Sequence, residues 1–182
     1  MFFQNKFIWS SEEVSKVIEK KIEISWHSSG LEFNSKNVKK GSVFFALPGT
    51  KSDGHNFIKD AINSGAVAVI VHDSYKTKIY NNKLIKVNDV HKALLLLASH
   101  ARNRVSKKCY IIAITGSSGK TSTKEMIKSG LKTIGTTYTN PGSYNNHVGV
   151  PYSLANMPCN TQFGIFSNNS FDMQDHYFIF IF

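Results

Sequence analysis

Residues 115–127 read TGSSGKTSTKEMI, a glycine-bounded loop that leads into a lysine, a threonine and a stretch of helical spacing. Holding a phosphate takes convergent donors and a cation in a small space. Gly116 and Gly119 let main-chain N–H groups close on an anion with no Cβ in the way. A helix beginning at the lysine adds unbonded N–H groups and the positive end of its dipole. Lys120 has the reach for β- and γ-phosphate oxygens, and the Thr121 hydroxyl suits Mg2+. The candidate phosphate-binding set is therefore Thr115, Gly116, Ser117, Ser118, Gly119, Lys120, Thr121 and Ser122, with Thr121 a partial Mg2+ ligand. The common P-loop pattern has a glycine six residues before the lysine, where this chain has Ile114, so the loop is the shorter G-x-x-G-K-T form.

Few other residues are spaced for chemistry. His27, His72, His91, His100 and His176 lack the spacing of metal ligands and are given no role. Cys109 and Cys159, 50 positions apart, make neither a disulfide framework nor a zinc site and are expected to be buried, inert thiols.

The loop works only if a strand delivers it and a helix follows it. Residues 110–115 (YIIAIT) are apolar and β-branched, as a buried strand should be, and Met126, Ile127 and Leu131 are expected on one side of the next helix. Upstream, Ser10 and Glu13 offer a capping box for a helix in which Val14, Val17 and Ile18 recur. Ile22, Ile24 and Trp26 alternate with polar residues and predict a short strand. Residues 42–47 (SVFFAL), 66–71 (AVAVIV) and 84–87 predict three more, the second buried by its unbroken apolarity. Residues 55–64 place Phe57, Ile58, Ala61 and Ile62 on one helical face with Gly65 as C-cap, and residues 90–102 predict a leucine-rich helix. Such alternation predicts an α/β fold with a largely parallel sheet. The polar stretch 102–108 marks a boundary. A small N-terminal α/β domain (1–105) would precede an incomplete P-loop-type α/β domain (106–166), with a divergent tail (167–182).

Composition bounds the rest. The chain has 182 residues, 41% hydrophobic and 12% aromatic, which suits one domain or a small domain plus part of another and argues against disorder. No apolar run reaches the roughly 18–20 residues of a membrane helix. The opening MFFQNKFIWSSEE breaks its apolarity at Gln4 and Lys6 and turns acidic, unlike a signal peptide. With two cysteines, a reduced, cytoplasmic protein is expected. The net charge of +10 does not point to nucleic acid, because 20 of the 22 basic residues are lysine, scattered without an arginine cluster or an aromatic RNA-binding signature. Their distribution says more: all 22 lie at or before Lys132, and the last fifty residues carry only Asp172 and Asp175.

Residues 115–121 (TGSSGKT) resemble the ATP loop of the Mur ligase family of peptidoglycan synthesis, T-G-[ST]-[NS]-G-K-T, with the same shortened spacing. Residues 122–127 (STKEMI) look like the branch that adds D-alanyl-D-alanine to the UDP-muramoyl-tripeptide. Residues 34–49 (NSKNVKKGSVFFALPG) with 53–57 (DGHNF), and residues 140–151 (NPGSYNNHVGVP), are similar to two further family segments. The resemblance implies a UDP-substrate domain over 1–105 and the start of an ATP domain over 106–166. It also implies ATP and Mg2+ as cofactors, UDP-N-acetylmuramoyl-tripeptide and D-alanyl-D-alanine as partners, and a monomer. It sets Asn34, Ser35 and Lys36 where the family's D-S-R meets the UDP-sugar, although lysine lacks arginine's bidentate fork and a surface loop is the other assignment. Asp53, Gly54 and His55 would line the uridine end, while D-G before a helix is equally a turn and N-cap. Asn145 and Asn146 would approach substrate or phosphate, with His147 a neighbour.

By the same resemblance, ATP would phosphorylate a peptide carboxylate to an acyl phosphate, which the D-alanyl-D-alanine amine then attacks. After residues 161–166 (TQFGIF) the family continues with an acidic residue, and this chain has Ser167. Losing one such electrostatic group typically costs ~10²–10³ in rate. The expectation is a truncated ligase, inactive by itself. The change at Ser167 is of the kind a frameshift makes, with a genuine divergent C-terminus as the alternative. Residues 176–182 (HYFIFIF) would be an aggregation hazard or a strand on a partner. Two other classes stay open: a stand-alone UDP-sugar or nucleotide-binding module without catalysis, and a small P-loop ATPase needing Asp172 as its acid.

Overall fold

A computed structural model of the chain describes residues 7–49, 52–77, 79, 81–105, 108–116, 118–142 and 144–168 and the backbone of Phe178–Ile181. The chain divides into two compact units, Met1–Leu97 and Ala98–Phe182.

The first unit opens with β1 (Trp9–Ser10), α1 (Ser11–Ile18) and β2 (His27–Ser28). The Glu13 N–H donates to Ser10 Oγ at 3.1 Å, so the serine caps α1 as its position predicts. The strand expected over Ile22, Ile24 and Trp26 does not form. Trp26 bonds to the start of α1 instead: the Ser11 N–H donates to the Trp26 carbonyl (2.9 Å), and the Trp26 N–H donates to Ser11 Oγ (3.2 Å). Only Trp26 of the three is buried, and Ile24 is exposed. Alternation without a partner strand is not enough to make a strand.

Four parallel strands follow, β3 (Gly30–Glu32), β4 (Ser42–Phe45), β5 (Ala68–His72) and β6 (Leu84–Val87), paired in the order β3-β4-β5-β6. Successive side chains alternate between the two faces of the sheet. Phe44 and Ala46 with Val69 and Val71 pack against Ile58, Ala61 and Ile62 of α2 (Ile58–Asn63). Val43, Phe45, Ala68 and Ile70 on the other face are equally buried. Burial on both faces is why β5 shows no polar alternation. Helix α3 (Val90–Arg104), which runs across the division at Leu97, buries Leu94 and Leu97 but exposes Leu95 and Leu96.

The second unit carries β7 (Tyr110–Thr115), α4 (Lys120–Leu131), β8 (Thr137–Thr139), α5 (Gly149–Ala155), β9 (Phe163–Ser167) and β10 (Phe178–Ile181). The sheet order is β10-β7-β9-β8, with β7, β8 and β9 mutually parallel and β10 antiparallel to β7. One face sets Ile112, Ile114 and Ile165 against Ile127 and Leu131 of α4. The other gathers Cys109, Ile111, Met157 and Phe166 with Tyr138 and Leu154. Met126, expected beside Ile127, is 75% exposed, and Lys124 is buried in its stead. Positions 124, 127 and 131 share a helical face at spacings of three and four, whereas position 126 is turned away from them. Cys109 is buried as expected, but Cys159 is exposed, because it sits in the turn between α5 and β9. Residues 178–181, anticipated as a hazard or a partner's strand, pair with the chain's own β7. No helix among the described residues is long and apolar enough to cross a membrane.

Candidate functional site

Strand β7 ends at Thr115, and the chain turns through Gly116 (φ +150°) and Gly119 (φ +72°) into α4. A φ of +72° is left-handed backbone, which glycine adopts freely and a side chain resists. Gly119 occupies the N-cap and has no side chain with which to cap α4. The Lys120 ammonium donates to the Gly116 carbonyl, spanning the two glycines. Thr121 and Ser122 stand exposed on the same first turn, with Ser118 exposed in the loop. Ser117 lies outside the described residues. The arrangement offers an anion main-chain donors, a helix dipole and a mobile cation within one turn.

A phosphate fits this loop; a resident Mg2+ does not. Thr121 supplies one neutral oxygen, and no group of three or more His, Cys, Asp and Glu among the described residues could hold a metal ion. Mg2+ is ordinarily held through one or two carboxylates with phosphate oxygens. The end of β9 presents Ser167, whose hydroxyl accepts from Asn140 Nδ2 at 3.2 Å. Asp172 lies outside the described residues.

Beside the loop sits a cluster that residue spacing did not reveal. Lys124, 2% exposed, donates its ammonium to the Asn140 carbonyl at 2.8 Å. Burial pushes that ammonium below the ordinary lysine value, partly opposed by the Glu125 charge and reinforced by Lys128. The one available signal was its place at the same helical face as Ile127 and Leu131. Asn146 Oδ1 accepts from the Val148 N–H (3.2 Å) and the Gly149 N–H (2.7 Å) in the turn that leads into α5. Asn145 lies beside it, half-buried, and His147 is exposed.

In the first unit, parallel pairing puts the carboxyl ends of β3 to β6 along one edge of the sheet, where ligands of open α/β sheets bind. A cleft of about 760 Å³ opens there. Pro48, Asp53 and His55 reach it from the β4–α2 connection, His72, Tyr75 and Lys76 from the end of β5, and Asn88 and Asp89 from the end of β6. Asp53 accepts from the His55 N–H at 2.9 Å and meets its Nδ1 at 2.6 Å, and these two bonds hold its carboxyl below the usual range. Gly54 is needed for close approach, since a Cβ there would stand 2.7 Å from Leu47 main-chain atoms. Asn34, Ser35 and Lys36 follow β3 on the same edge but do not line the cleft. Asn34 Oδ1 accepts from the Lys36 N–H (3.1 Å) and caps a short 3-10 turn, as a surface loop would. His72, to which the spacing assigned nothing, lines the cleft, and its N–H donates to His55 Nε2 at 3.0 Å.

Two α/β units, each built on a largely parallel sheet and one bearing a glycine loop between a buried strand and a helix, define a mixed α/β architecture. Residues 27–102 match the Mur ligase family, catalytic domain, and residues 114–180 match the Mur ligase middle domain. The chain belongs to the Mur ligase family. It is 42% identical over 160 residues to the UDP-N-acetylmuramoyl-tripeptide--D-alanyl-D-alanine ligase of Rickettsia prowazekii, covering 87% of this chain and 34% of that one. Its fold is similar to the Acinetobacter baumannii UDP-N-acetylmuramoylalanyl-D-glutamyl-2,6-diaminopimelate--D-alanyl-D-alanyl ligase, with a TM-score of 0.77, 26% identity, and coverage of 92% of this chain and 37% of that one. The Thermotoga maritima MurF ligase, solved in complex with ADP, is similar at a TM-score of 0.62 and 31% identity over 76% of this chain and 31% of its own. The chain spans about a third of the length of the curated relatives it matches. The middle-domain match continues to residue 180, beyond Ser167.

Proposed function

We propose that this chain forms the UDP-substrate domain (1–105) and the start of the ATP-binding domain (106–166) of a ligase that joins D-alanyl-D-alanine to UDP-N-acetylmuramoyl-tripeptide through an acyl phosphate. The observation that carries the proposal is the glycine loop that delivers β7 into α4, with left-handed Gly119 at the N-cap and the Lys120 ammonium bridging to the Gly116 carbonyl. Main-chain N–H groups of residues 120–122 would bind the nucleotide phosphates, and Lys120 would swing from the Gly116 carbonyl to phosphate oxygens. The T. maritima relative was solved in complex with ADP, which supports a nucleotide ligand. Magnesium enters only as counter-ion to the nucleotide's own oxygens, with the Thr121 hydroxyl offered to it. Ser167 provides no carboxylate at the end of β9, so the 182-residue polypeptide taken alone is expected to bind without turning over. Its substrates are cytoplasmic precursors, and the cleft at the edge of β4 to β6 would take the UDP-sugar end.

Isothermal titration of the chain with ADP tests this directly. Binding is expected, and Lys120→Ala should weaken it by at least about tenfold, the worth of one charge-assisted bond. ADP affinity equal in the two proteins would refute the assignment. Phosphate release from ATP that requires both tripeptide and D-alanyl-D-alanine would refute the inactivity. A second reading, a binding module without catalysis, is favoured by the self-contained core and cleft of the first unit. It requires UDP-N-acetylmuramoyl-tripeptide to raise that unit's thermal midpoint.

A further inference from the structure

We infer that Lys124 is a positioning residue for the phosphate loop, clamping the ends of β8 and β9 against α4 through Asn140. Lys124 lies one helical turn beyond Lys120. A lysine this buried is rare unless its ammonium is fully engaged. All three of its donors point to one segment: the Asn140 carbonyl (2.8 Å), Asn140 Oδ1 (3.5 Å) and the Gly142 carbonyl (3.5 Å). Asn140, 1% exposed, directly follows β8. Its Nδ2 donates to the Tyr144 carbonyl (2.7 Å) and to the Ser167 carbonyl and hydroxyl (3.2 Å each), and its Oδ1 accepts the Ser167 N–H (3.2 Å). Ser167 is the last residue of β9. The next N–H, that of Asn168, donates to the Ile114 carbonyl in β7 (2.9 Å), one residue before Thr115.

A continuous set of bonds therefore runs from α4 through residue 140 to β9 and back to the strand that delivers the loop. Because β7, β8 and β9 are parallel, their carboxyl ends share one edge with the loop, and a shift in any of them moves the wall beside the phosphates. The ammonium does this against its own electrostatics. The charges that act on it are those of Glu125 and Lys128 on its own helix, with Lys120 one turn before it, and the groups it bonds on the other elements are neutral carbonyls and an amide oxygen. Methionine would fill similar space without the cost of desolvating a charge. What lysine adds is the three bonds.

The inference rests on the nucleotide reading above, and the test separates the two. ADP binding to the full chain is measured for the wild type, Lys120→Ala, Lys124→Met, Asn140→Ala and the Lys124→Met/Asn140→Ala double variant, with amide exchange at Ser167 followed in parallel. Lys124→Met and Asn140→Ala are each expected to weaken ADP roughly tenfold or more, with the double variant no weaker than the poorer single. Ser167 exchange should quicken in both. Wild-type affinity should fall as pH rises from neutral toward the lysine range, and Lys124→Met should flatten that fall. If Lys120→Ala loses ADP while Lys124→Met matches the wild type at every pH, the positioning role is overturned; additive losses overturn it as well. Should Lys124→Met not fold, Asn140→Ala decides in the same way, and wild-type ADP affinity in that variant overturns the positioning role. A wild type that binds no ADP refutes the nucleotide reading and the positioning role together, and Ser167 exchange then reports only whether the clamp exists.

Discussion

The imidazole of His55 is pinned at both nitrogens, with Nδ1 2.6 Å from Asp53 Oδ1 and Nε2 accepting the His72 N–H at 3.0 Å. A main-chain N–H only donates, so Nε2 is the acceptor and the proton sits on Nδ1. The ring is thus a strut between the β4–α2 connection and the end of β5. Its partner Asp53 is held below the usual carboxylate range, and Asp89, which accepts the Lys92 N–H at 2.9 Å, is held low for the same reason. A carboxyl whose folded value lies below its unfolded value adds stability above the unfolded value and loses it as pH falls through the folded one. Asp53→Asn should therefore lower the thermal midpoint at neutral pH, with the gap to the wild type closing below about pH 4. A gap that stayed constant from neutral to strongly acid pH would contradict this. The D-G-H triplet was visible as a turn signal, but His72 was not, because its link to His55 crosses 17 positions through a main-chain group.

Helix α4 contains a glycine that its fold does not need. Gly130 lies near its C-terminal end, and a Cβ there would meet nothing within 4 Å. Gly130→Ala should stabilise the second unit by about 0.5–1 kcal/mol, read as a higher denaturation midpoint at unchanged slope. A loss of stability would mean the helix is not formed there. At the sheet edge, β10 covers β7 with an antiparallel ladder from Phe178↔Thr115 to Ile181↔Ile112. An uncovered edge is a template for other strands. Truncation after Asn168 should leave β7 open and raise the association state in light scattering, whereas a monodisperse monomer would show that β10 protects nothing. Element identity was legible where period and neighbours agreed, as in β6 and β7, whose observed bounds match the expected ones. It failed at Ile22 to Trp26, where alternation had no strand to pair with.

Two compact units in one chain make two unfolding transitions the natural expectation for the whole molecule. A nucleotide that binds the phosphate loop should raise only the transition of the second unit, by about 2.7 kcal/mol at a hundredfold excess over Kd. Calorimetry with and without ADP checks this, and an equal rise in both transitions would place the ligand elsewhere. The sequence by itself determined the α/β class, the strands β4 to β7 and the glycine loop that leads into α4. These rest on short-range properties: the conformational freedom of Gly119, the β-branched run of β7, the double-sided apolarity of β5. The tertiary structure alone decided that Lys124 is buried, that Asn140 joins it to Ser167, and that residues 178–181 return to β7. Asn140 lies 16 positions from Lys124 and 27 from Ser167, and no local pattern relates them. Burial and pairing at that range depend on what packs around a residue, and parallel strands bring their carboxyl ends together only once the sheet has formed.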